Sequence, residues 1–266
     1  MTQLARRQLL TSLAGVPLAG IPLAAMPLAT ILADARLARA AADQLESVSL
    51  TMAGGRQASA ALALPASLPA PSVLLIHEWW GLNDQIKTMA AEFAREGYVG
   101  LAVDLYGGQV ADNPDDAKAL MGGVDSAAAT DTLVSWVDWL KAHEQATGKV
   151  ATIGWCFGGG WSLNASIATP VDATVIYYGR VDRPAADLKS LKSPVQGHFA
   201  TEDQWINQEM VGGFEAAMAE AGKEVTSYWY EAQHAFANPS GGRYDEADAK
   251  LAWQRTLAFL DEHLKA

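Results

Sequence analysis

Four continuous apolar runs constrain the fold of this chain more than any other feature of its sequence. Segments with helical spacing of apolar residues separate the runs, which are VLLIHE (73–78), YVGLAVDLYG (98–107), KVATIGWC (149–156) and ATVIYYG (173–179). A strand that is apolar on both faces is typical of a parallel sheet covered by helices on both sides. Strands that alternate with helices favour the same arrangement. The sequence therefore predicts an α/β fold with a mostly parallel central sheet and helices on both faces.

Weaker patterns complete the predicted order of elements. ESVSLTM (46–52) and RQASAALAL (56–64) alternate around Gly54-Gly55, which predicts a β-hairpin that opens the sheet, and ASLPAPS (66–72) predicts a turn. Two later strands are predicted in PVQGHFATED (194–203) and EVTSYWYE (224–231). Helices are predicted at 84–96, 114–121, 126–143, 157–168, 206–221 and 244–264. No linker or internal repeat interrupts residues 41–266, so we predict one domain there.

Residues 1–40 have the pattern of an export signal. Arg6 and Arg7 precede an apolar stretch in which Pro17, Pro22 and Pro27 recur, and ARA (38–40) is a small-x-small cleavage site. The pattern predicts a twin-arginine-type signal, with the export machinery as its partner and the bacterial periplasm or the cell exterior as destination. Three prolines disfavour a stable transmembrane span. An uncleaved apolar N-terminal anchor is the alternative.

Charge and cysteine content restrict the classes of function. The formal net charge is −11 at pH 7, which disfavours binding to nucleic acid and favours a small-molecule substrate. The single cysteine, Cys156, cannot form an internal disulfide. It is therefore either a buried apolar residue or a reactive group.

Cys156 lies in IGWCFGGG (153–160), where a predicted strand runs into a predicted helix. The segment has the form G-x-C-x-G, the pattern of a nucleophile elbow with cysteine in place of serine. Small residues two before and two after the nucleophile let strand and helix approach, and the helix N-terminus favours a thiolate and an oxyanion. A buried cysteine beside a glycine-rich helix start is the alternative. A phosphate-binding loop is disfavoured because no G-K-[ST] ending follows.

A nucleophile elbow predicts an acid and then a histidine, each after a later strand. Of the five histidines, His77 and His198 are predicted within strands, and only His234, in YEAQHAFANP, follows a late strand and begins a loop. Asp203 and its neighbour Glu202 lie where a strand ends, and we favour Asp203. Taken singly, His234 is also compatible with a surface position and Asp203 with a helix N-cap.

Glu78, in IHEWWGLN, lies at the C-terminal end of the first central strand, and open α/β sheets bind ligands just outside such strand ends. Its carboxyl group is a candidate general base or partner of the thiol, and a solvated loop acid is the alternative. Trp79 and Trp80 beside it suggest a pocket wall. The pair His77-Glu78 does not form H-E-x-x-H, so we predict neither a metal site nor a cofactor.

The motifs IHEWWGLN, VDLYGG, IGWCFGGG, HFATEDQWIN and QHAFANP together resemble the dienelactone hydrolases, cysteine members of the α/β-hydrolase superfamily, over nearly all of residues 45–264. The resemblance implies the α/β-hydrolase fold and an ester or lactone hydrolase that forms an acyl-thioenzyme. The resemblance implies that Cys156 is the nucleophile, that His234 is the general base and that Asp203 orients the histidine. Glu78 corresponds to a glutamate that helps to generate the thiolate.

The resemblance also implies an oxyanion hole made by the backbone N–H groups of Phe157 and Trp79. Residues expected to line the substrate pocket are Trp80, Tyr106, Trp205 and Asn238. Dienelactone hydrolases hold a substrate carboxylate with two arginines, and this chain has Gly108 and Asn238 at those positions. Neither replaces a bidentate arginine. Arg180 and Arg243 are other candidate sources of positive charge.

Two further functions remain open from the sequence. The tryptophans near the motifs are compatible with a non-catalytic small-molecule-binding protein on a hydrolase scaffold. A redox-sensing thiol is also compatible with Cys156, although the chain has no second cysteine to resolve a sulfenic acid.

Overall fold

The computed structural model describes residues 22–266, and this range forms one eight-stranded sheet. The strands are β1 (Glu46–Thr51), β2 (Gln57–Ala63), β3 (Ala70–Ile76), β4 (Val99–Val103), β5 (Ala146–Trp155), β6 (Ala173–Tyr177), β7 (Val195–Ala200) and β8 (Val225–Tyr230). Their order across the sheet is β1-β2-β4-β3-β5-β6-β7-β8. β2 is antiparallel to both β1 and β4, whereas β4, β3 and β5 to β8 are parallel. The predicted mostly parallel sheet with an opening hairpin is confirmed.

Helices cover both faces of this sheet. They are α1 (Leu28–Ala33), α2 (Ala35–Ala42), α3 (Asp84–Arg95), α4 (Pro114–Gly122), α5 (Ser126–Ala142), α6 (Phe157–Ala168), α7 (Ala185–Leu188), α8 (Gln208–Glu220) and α9 (Glu246–Leu264). Several begin where the sequence offers a capping side chain. Asn83, Asn207 and Asp245 each accept a backbone N–H from the first turn of α3, α8 and α9, respectively.

The apolar runs are continuous because each strand packs against a helical layer on both sides. Leu75 of β3 belongs to a core with Phe93 of α3 and Leu260 of α9. Leu74, the preceding residue, belongs to the core on the opposite face with Trp136 of α5. All five side chains are fully buried. Neighbouring residues of a strand point to opposite faces, so both must be apolar.

Three details differ from the sequence prediction. β3 begins at Ala70, within the predicted turn, because Ala70 pairs with Ala146 of the long strand β5. It ends at Ile76, so His77 and Glu78 lie in the loop beyond it rather than within the strand. The sequence does not predict the short helix α7, since four residues are too few for a periodic pattern.

Part of the segment predicted as an export signal is helical and packs on the domain. Arg6, Arg7 and Pro17 lie outside the described residues. The remaining two prolines, Pro22 and Pro27, directly precede a 3-10 turn and α1. The Thr88 hydroxyl donates to the Ala38 carbonyl oxygen at 3.1 Å, which joins α2 to α3. The boundary at residue 40 stays a prediction. Between residues 22 and 266, no helix has both the length and the apolar character needed to cross a bilayer.

Candidate active site

Cys156 lies between Trp155, the last residue of β5, and Phe157, the first of α6. Its φ of 54° and ψ of −115° are rare for a residue with a side chain. Such a conformation costs about 1–3 kcal/mol and persists only where the surroundings impose it. The Cys156 N–H donates to the Tyr177 carbonyl oxygen at 3.0 Å and thereby ties the turn to β6. The thiol is thus held at the carboxyl end of the sheet, at the start of a helix.

Glycines make this sharp turn possible. A Cβ on Gly154 would collide with the Gly158 carbonyl, and a Cβ on Gly158 would collide with the Ile76 carbonyl. A Cβ on Gly159 would lie 2.8 Å from the Cα atom of Gly179. Strand β5, helix α6 and the end of β3 therefore approach each other more closely than any side chain would allow.

Asp203 and His234 meet after β7 and β8. His234 Nδ1 donates to Asp203 Oδ2 at 2.6 Å. The other carboxylate oxygen accepts the N–H groups of Trp205 at 2.8 Å and Ile206 at 3.0 Å. Burial opposes ionisation, but the His234 bond and these backbone donors outweigh it and lower the pKa of Asp203. The carboxylate is therefore charged and fixed in orientation.

The His234 ring also interacts with Cys156. Burial lowers the pKa of His234, but the bond to the Asp203 carboxylate and the neighbouring Cys156 side chain outweigh burial and raise that pKa to about 10. The His234 side chain is only 11% exposed. Its ring packs against the rings of Tyr178 and Trp205, with centroid-to-centroid distances of 5.1 and 5.2 Å, respectively. The structure thus brings together the three residues that the elbow pattern predicts.

Glu78 is a buried acid that projects from the loop after β3. It is 3% exposed, and its Oε2 accepts the Asn238 Nδ2–H at 2.6 Å. Asn238 Oδ1 accepts both the N–H and the hydroxyl of Ser240, which fixes the orientation of the amide. Burial raises the pKa of Glu78, although the Asn238 bond and the charge of His234 oppose this. Both polar ends of Asn238 are thus already bonded within the protein, and its place in the substrate pocket stays a prediction.

The two amides predicted for an oxyanion hole are available. Among residues 22–266, no acceptor receives a hydrogen bond from the backbone N–H of Phe157 or of Trp79. Phe157 N–H belongs to the first turn of α6, where helix N–H groups lack intrahelical partners. Trp79 N–H lies in the turn after β3.

Aromatic side chains surround the loops at this end of the sheet. The Trp79 and Trp80 rings contact each other with centroids 4.9 Å apart. Tyr106 is buried against Phe157, with centroids 5.5 Å apart. Trp205 is 59% exposed. The predicted pocket residues Trp80, Tyr106 and Trp205 therefore lie on three different loops.

At the position where the resemblance implies an arginine, Gly108 has a φ of 87°, which favours glycine. Its N–H donates to Asp104 Oδ2, and Asp104 Oδ1 accepts the Tyr106 N–H at 2.8 Å. This loop therefore presents no positive side chain at residue 108.

Sequence reasoning missed two residues of the site. His77, placed within a strand by the sequence, is buried beside Tyr106 and Phe157. Tyr178, with a φ of 36°, is buried against His234. Only their position in the sequence could have indicated that they belong to the site. Each directly follows the carboxyl end of a central parallel strand, where ligands bind in open α/β sheets.

Residues 58–264 match the sequence profile of the dienelactone hydrolase family. The chain belongs to this family. Membership makes the protein a hydrolase of carboxylic ester or lactone bonds, and the matched range contains Glu78, Cys156, Asp203 and His234. The alternative of a non-catalytic binding protein is therefore not supported.

Individual relatives match most of the chain. Protein usf of Aquifex pyrophilus is 35% identical over 205 residues, which are 73% of this chain and 89% of usf. Carboxymethylenebutenolidase of Pseudomonas putida is 27% identical over 230 residues, covering 81% of this chain and 95% of that enzyme. The crystal structure of a dienelactone hydrolase-like promiscuous phosphotriesterase from metagenomic libraries superposes with a TM-score of 0.76. At 23% identity, covering 83% of this chain and 99% of the other, it shows the shared fold.

Proposed function

We propose that the protein hydrolyses a carboxylic ester or lactone through Cys156, with His234 as acid and base and Asp203 as the residue that orients His234. The observation that carries the proposal is the 2.6 Å hydrogen bond from His234 Nδ1 to Asp203 Oδ2, on a ring close enough to Cys156 for that side chain to raise the pKa of His234. A nucleophile, a base and an orienting acid in contact are the arrangement that covalent catalysis requires.

In the first half-reaction, the Cys156 thiolate attacks the carbonyl carbon and the carbonyl π electrons move onto oxygen. The oxyanion accepts hydrogen bonds from the Phe157 and Trp79 N–H groups, and one such donor is worth about 3–4 kcal/mol in related chemistry. Collapse of the intermediate breaks the bond to the alkoxide, which takes a proton from His234. A thioester to Cys156 remains.

In the second half-reaction, His234 takes a proton from water as the water oxygen attacks the thioester carbon. The new oxyanion collapses and expels the Cys156 thiolate. The products are a carboxylic acid and an alcohol, or one hydroxy acid from a lactone, and the imidazolium–thiolate pair is restored. Asp203 stays ionised throughout and stabilises the imidazolium.

Glu78 contributes a second proton acceptor in this proposal. Its pKa is raised by burial, so it takes a proton more readily than an exposed carboxylate. Because Asn238 holds only Oε2, the other oxygen remains without a partner in the described structure. We propose that Glu78 takes the thiol proton once, when the resting Cys156 thiol is first converted to the thiolate that enters the two half-reactions.

The charges around the site favour a substrate without a carboxylate next to the scissile bond. Gly108 and Asn238 bring no positive charge to the places where the family resemblance implies arginines. Arg180 is already bound to Asp182 through two hydrogen bonds of 2.6 and 2.7 Å. Arg243 is exposed, and its guanidinium lies 5.3 Å from the Trp205 ring centroid. A small neutral ester or lactone is therefore the proposed substrate.

We also propose that residues 1–40 direct export through the twin-arginine machinery to the periplasm or the cell exterior. The support is the sequence pattern around Arg6 and Arg7. Fractionation of cells that express the full chain tests this proposal, with an Arg6→Lys, Arg7→Lys variant as control. Accumulation of both proteins in the same compartment would contradict it.

The catalytic proposal is tested with a panel of esters and lactones in neutral and carboxylated pairs. We expect turnover of neutral members by the wild type and at least a 1,000-fold lower kcat in Cys156→Ala, since no nucleophile remains. Undiminished hydrolysis by a folded Cys156→Ala variant would end the proposal.

A further inference from the structure

His77 is a fully buried histidine beside the proposed site, and the proposed reaction does not use its side chain. The ring lies in the loop directly after β3. Its Nδ1 is 2.6 Å from the Glu78 carbonyl oxygen, and its Nε2 is 3.2 Å from the Leu105 backbone nitrogen.

These two partners determine the tautomer of His77. A carbonyl oxygen only accepts, so Nδ1 carries the proton and donates to Glu78. A backbone N–H only donates, so Nε2 is unprotonated and accepts from Leu105. Burial also lowers the pKa of His77, which favours the neutral ring. The imidazole therefore bridges the loop after β3 and the loop after β4.

The acceptor of the Nδ1–H bond belongs to the peptide unit that carries the Trp79 N–H. A trans peptide unit is planar, and its C=O and N–H point in opposite directions. A bond that fixes the Glu78 carbonyl therefore also fixes the direction of the Trp79 N–H. It also polarises that N–H, because hydrogen bonds in a chain strengthen one another. The Gly81 N–H donates to the same carbonyl oxygen at a longer distance, 3.3 Å.

The same ring contacts the residue that carries the other proposed oxyanion donor. The His77 and Phe157 rings are stacked, with centroids 5.7 Å apart and an interplanar angle of 18°. One buried side chain thus touches the peptide unit of Trp79 by a hydrogen bond and the side chain of Phe157 by stacking.

We propose that His77 is the positioning residue of the oxyanion hole, and that its Nδ1–H sets the direction of the Trp79 N–H toward the developing oxyanion. The inference rests on the proposed function, since it concerns the oxyanion of that reaction. It assigns His77 a role in transition-state stabilisation and none in forming the thiolate.

Two substitutions separate the two hydrogen bonds of His77. Asn carries its amide nitrogen near the position of Nδ1, so His77→Asn retains a donor to the Glu78 carbonyl and loses the acceptor for Leu105. Gln carries its amide oxygen near the position of Nε2, so His77→Gln retains the acceptor and loses the donor. Both variants lose the aromatic ring equally, which makes them matched controls.

The experiment measures ester turnover and alkylation of Cys156 by iodoacetamide in both variants of the full chain. We expect kcat to fall about 10- to 100-fold in His77→Gln with KM within about twofold, because one oxyanion donor is misdirected. We expect His77→Asn to retain kcat within about threefold. Alkylation develops no oxyanion, so its rate should stay within about twofold of wild type in both variants.

Equal losses of kcat in the two variants, or an alkylation rate that falls in parallel with turnover, would overturn the inference. If neither variant folds, ¹⁵N NMR of the wild type decides, because the inference requires the proton on Nδ1 and an Nε2–H tautomer contradicts it. Failure of the proposed function has a different result: the wild type itself would show no turnover that depends on Cys156.

Discussion

Asn238 donates its amide N–H to Glu78 Oε2 at 2.6 Å, although the two residues are 160 positions apart in the chain. A neutral amide therefore faces a buried carboxyl group, and no positive side chain is paired with Glu78 among the ion pairs of residues 22–266. Burial can consequently raise the pKa of Glu78. Asn238 stands where the family resemblance implies a substrate-binding arginine, and through its bond to Glu78 it also affects how the activity depends on pH.

Asn238→Ala removes the hydrogen bond that favours the ionised form of Glu78. The pKa of Glu78 should rise further, so the acidic limb of the kcat/KM profile should move to higher pH by about one unit. The matched control is Ser240→Ala, which loosens the Asn238 amide without removing it and should shift the limb less. An acidic limb that stays in place in Asn238→Ala would show that Glu78 does not govern it.

Asp203→Asn replaces the carboxylate that raises the pKa of His234 by an amide of the same shape. NMR titration should show this pKa falling from about 10 toward the ordinary value. We expect kcat to fall about 100- to 10,000-fold, because the imidazolium loses its stabilising charge. Glu202→Gln is the control, since Glu202 is the exposed neighbouring acid. Equal effects of the two substitutions would contradict the assignment of Asp203.

The raised pKa of His234 also predicts a pH dependence of stability. The folded-state value of about 10 exceeds the unfolded value of about 6.5. The stabilisation that results is therefore complete below about pH 6.5 and is lost as pH rises through 10. Urea unfolding should show the free-energy advantage of wild type over His234→Gln shrinking between about pH 7 and pH 10. A free-energy advantage of the wild type that grows between about pH 7 and pH 10 would contradict the raised pKa of His234.

Gly158→Ala tests the close approach at the elbow. Its Cβ would collide with the Ile76 carbonyl, a backbone atom of a central strand. We expect a loss of about 2–4 kcal/mol in the free energy of unfolding. Gly212→Ala in α8 is the matched control, because nothing lies within 4 Å of its added Cβ and alanine is the better helix former, by up to about 1 kcal/mol. Equal stability changes in the two variants would refute the steric argument.

Much of the fold is predictable because its signals are local. The continuous runs of β4 and β6, the hairpin around Gly54-Gly55 and the elbow at Cys156 each lie within one short, continuous stretch of sequence. Asp203 and His234 are predictable as partners of Cys156 because the elbow fixes their order in the chain. Their mutual contact follows from parallel strands that end at the same edge of one sheet.

The rest depends on contacts between distant parts of the chain. The start of β3 at Ala70 is set by pairing with β5, which no pattern within residues 66–72 reveals. The bond between Asn238 and Glu78 joins two loops, and the bridge formed by His77 requires knowing that β3 ends at Ile76. Hydrophobic periodicity carries no information about such polar pairs.

The central claim is that the Cys156 sulfur carries the acyl group during turnover. Rapid acid quenching of the enzyme with a slowly hydrolysed ester, followed by intact-mass measurement and peptide mapping, tests it directly. We predict one added acyl mass on the peptide containing Cys156, and treatment with hydroxylamine should remove it. In His234→Gln the same acyl-enzyme should form much more slowly than in the wild type. An enzyme that turns over the ester with no acyl mass on Cys156, or with the mass on another residue, would contradict the account.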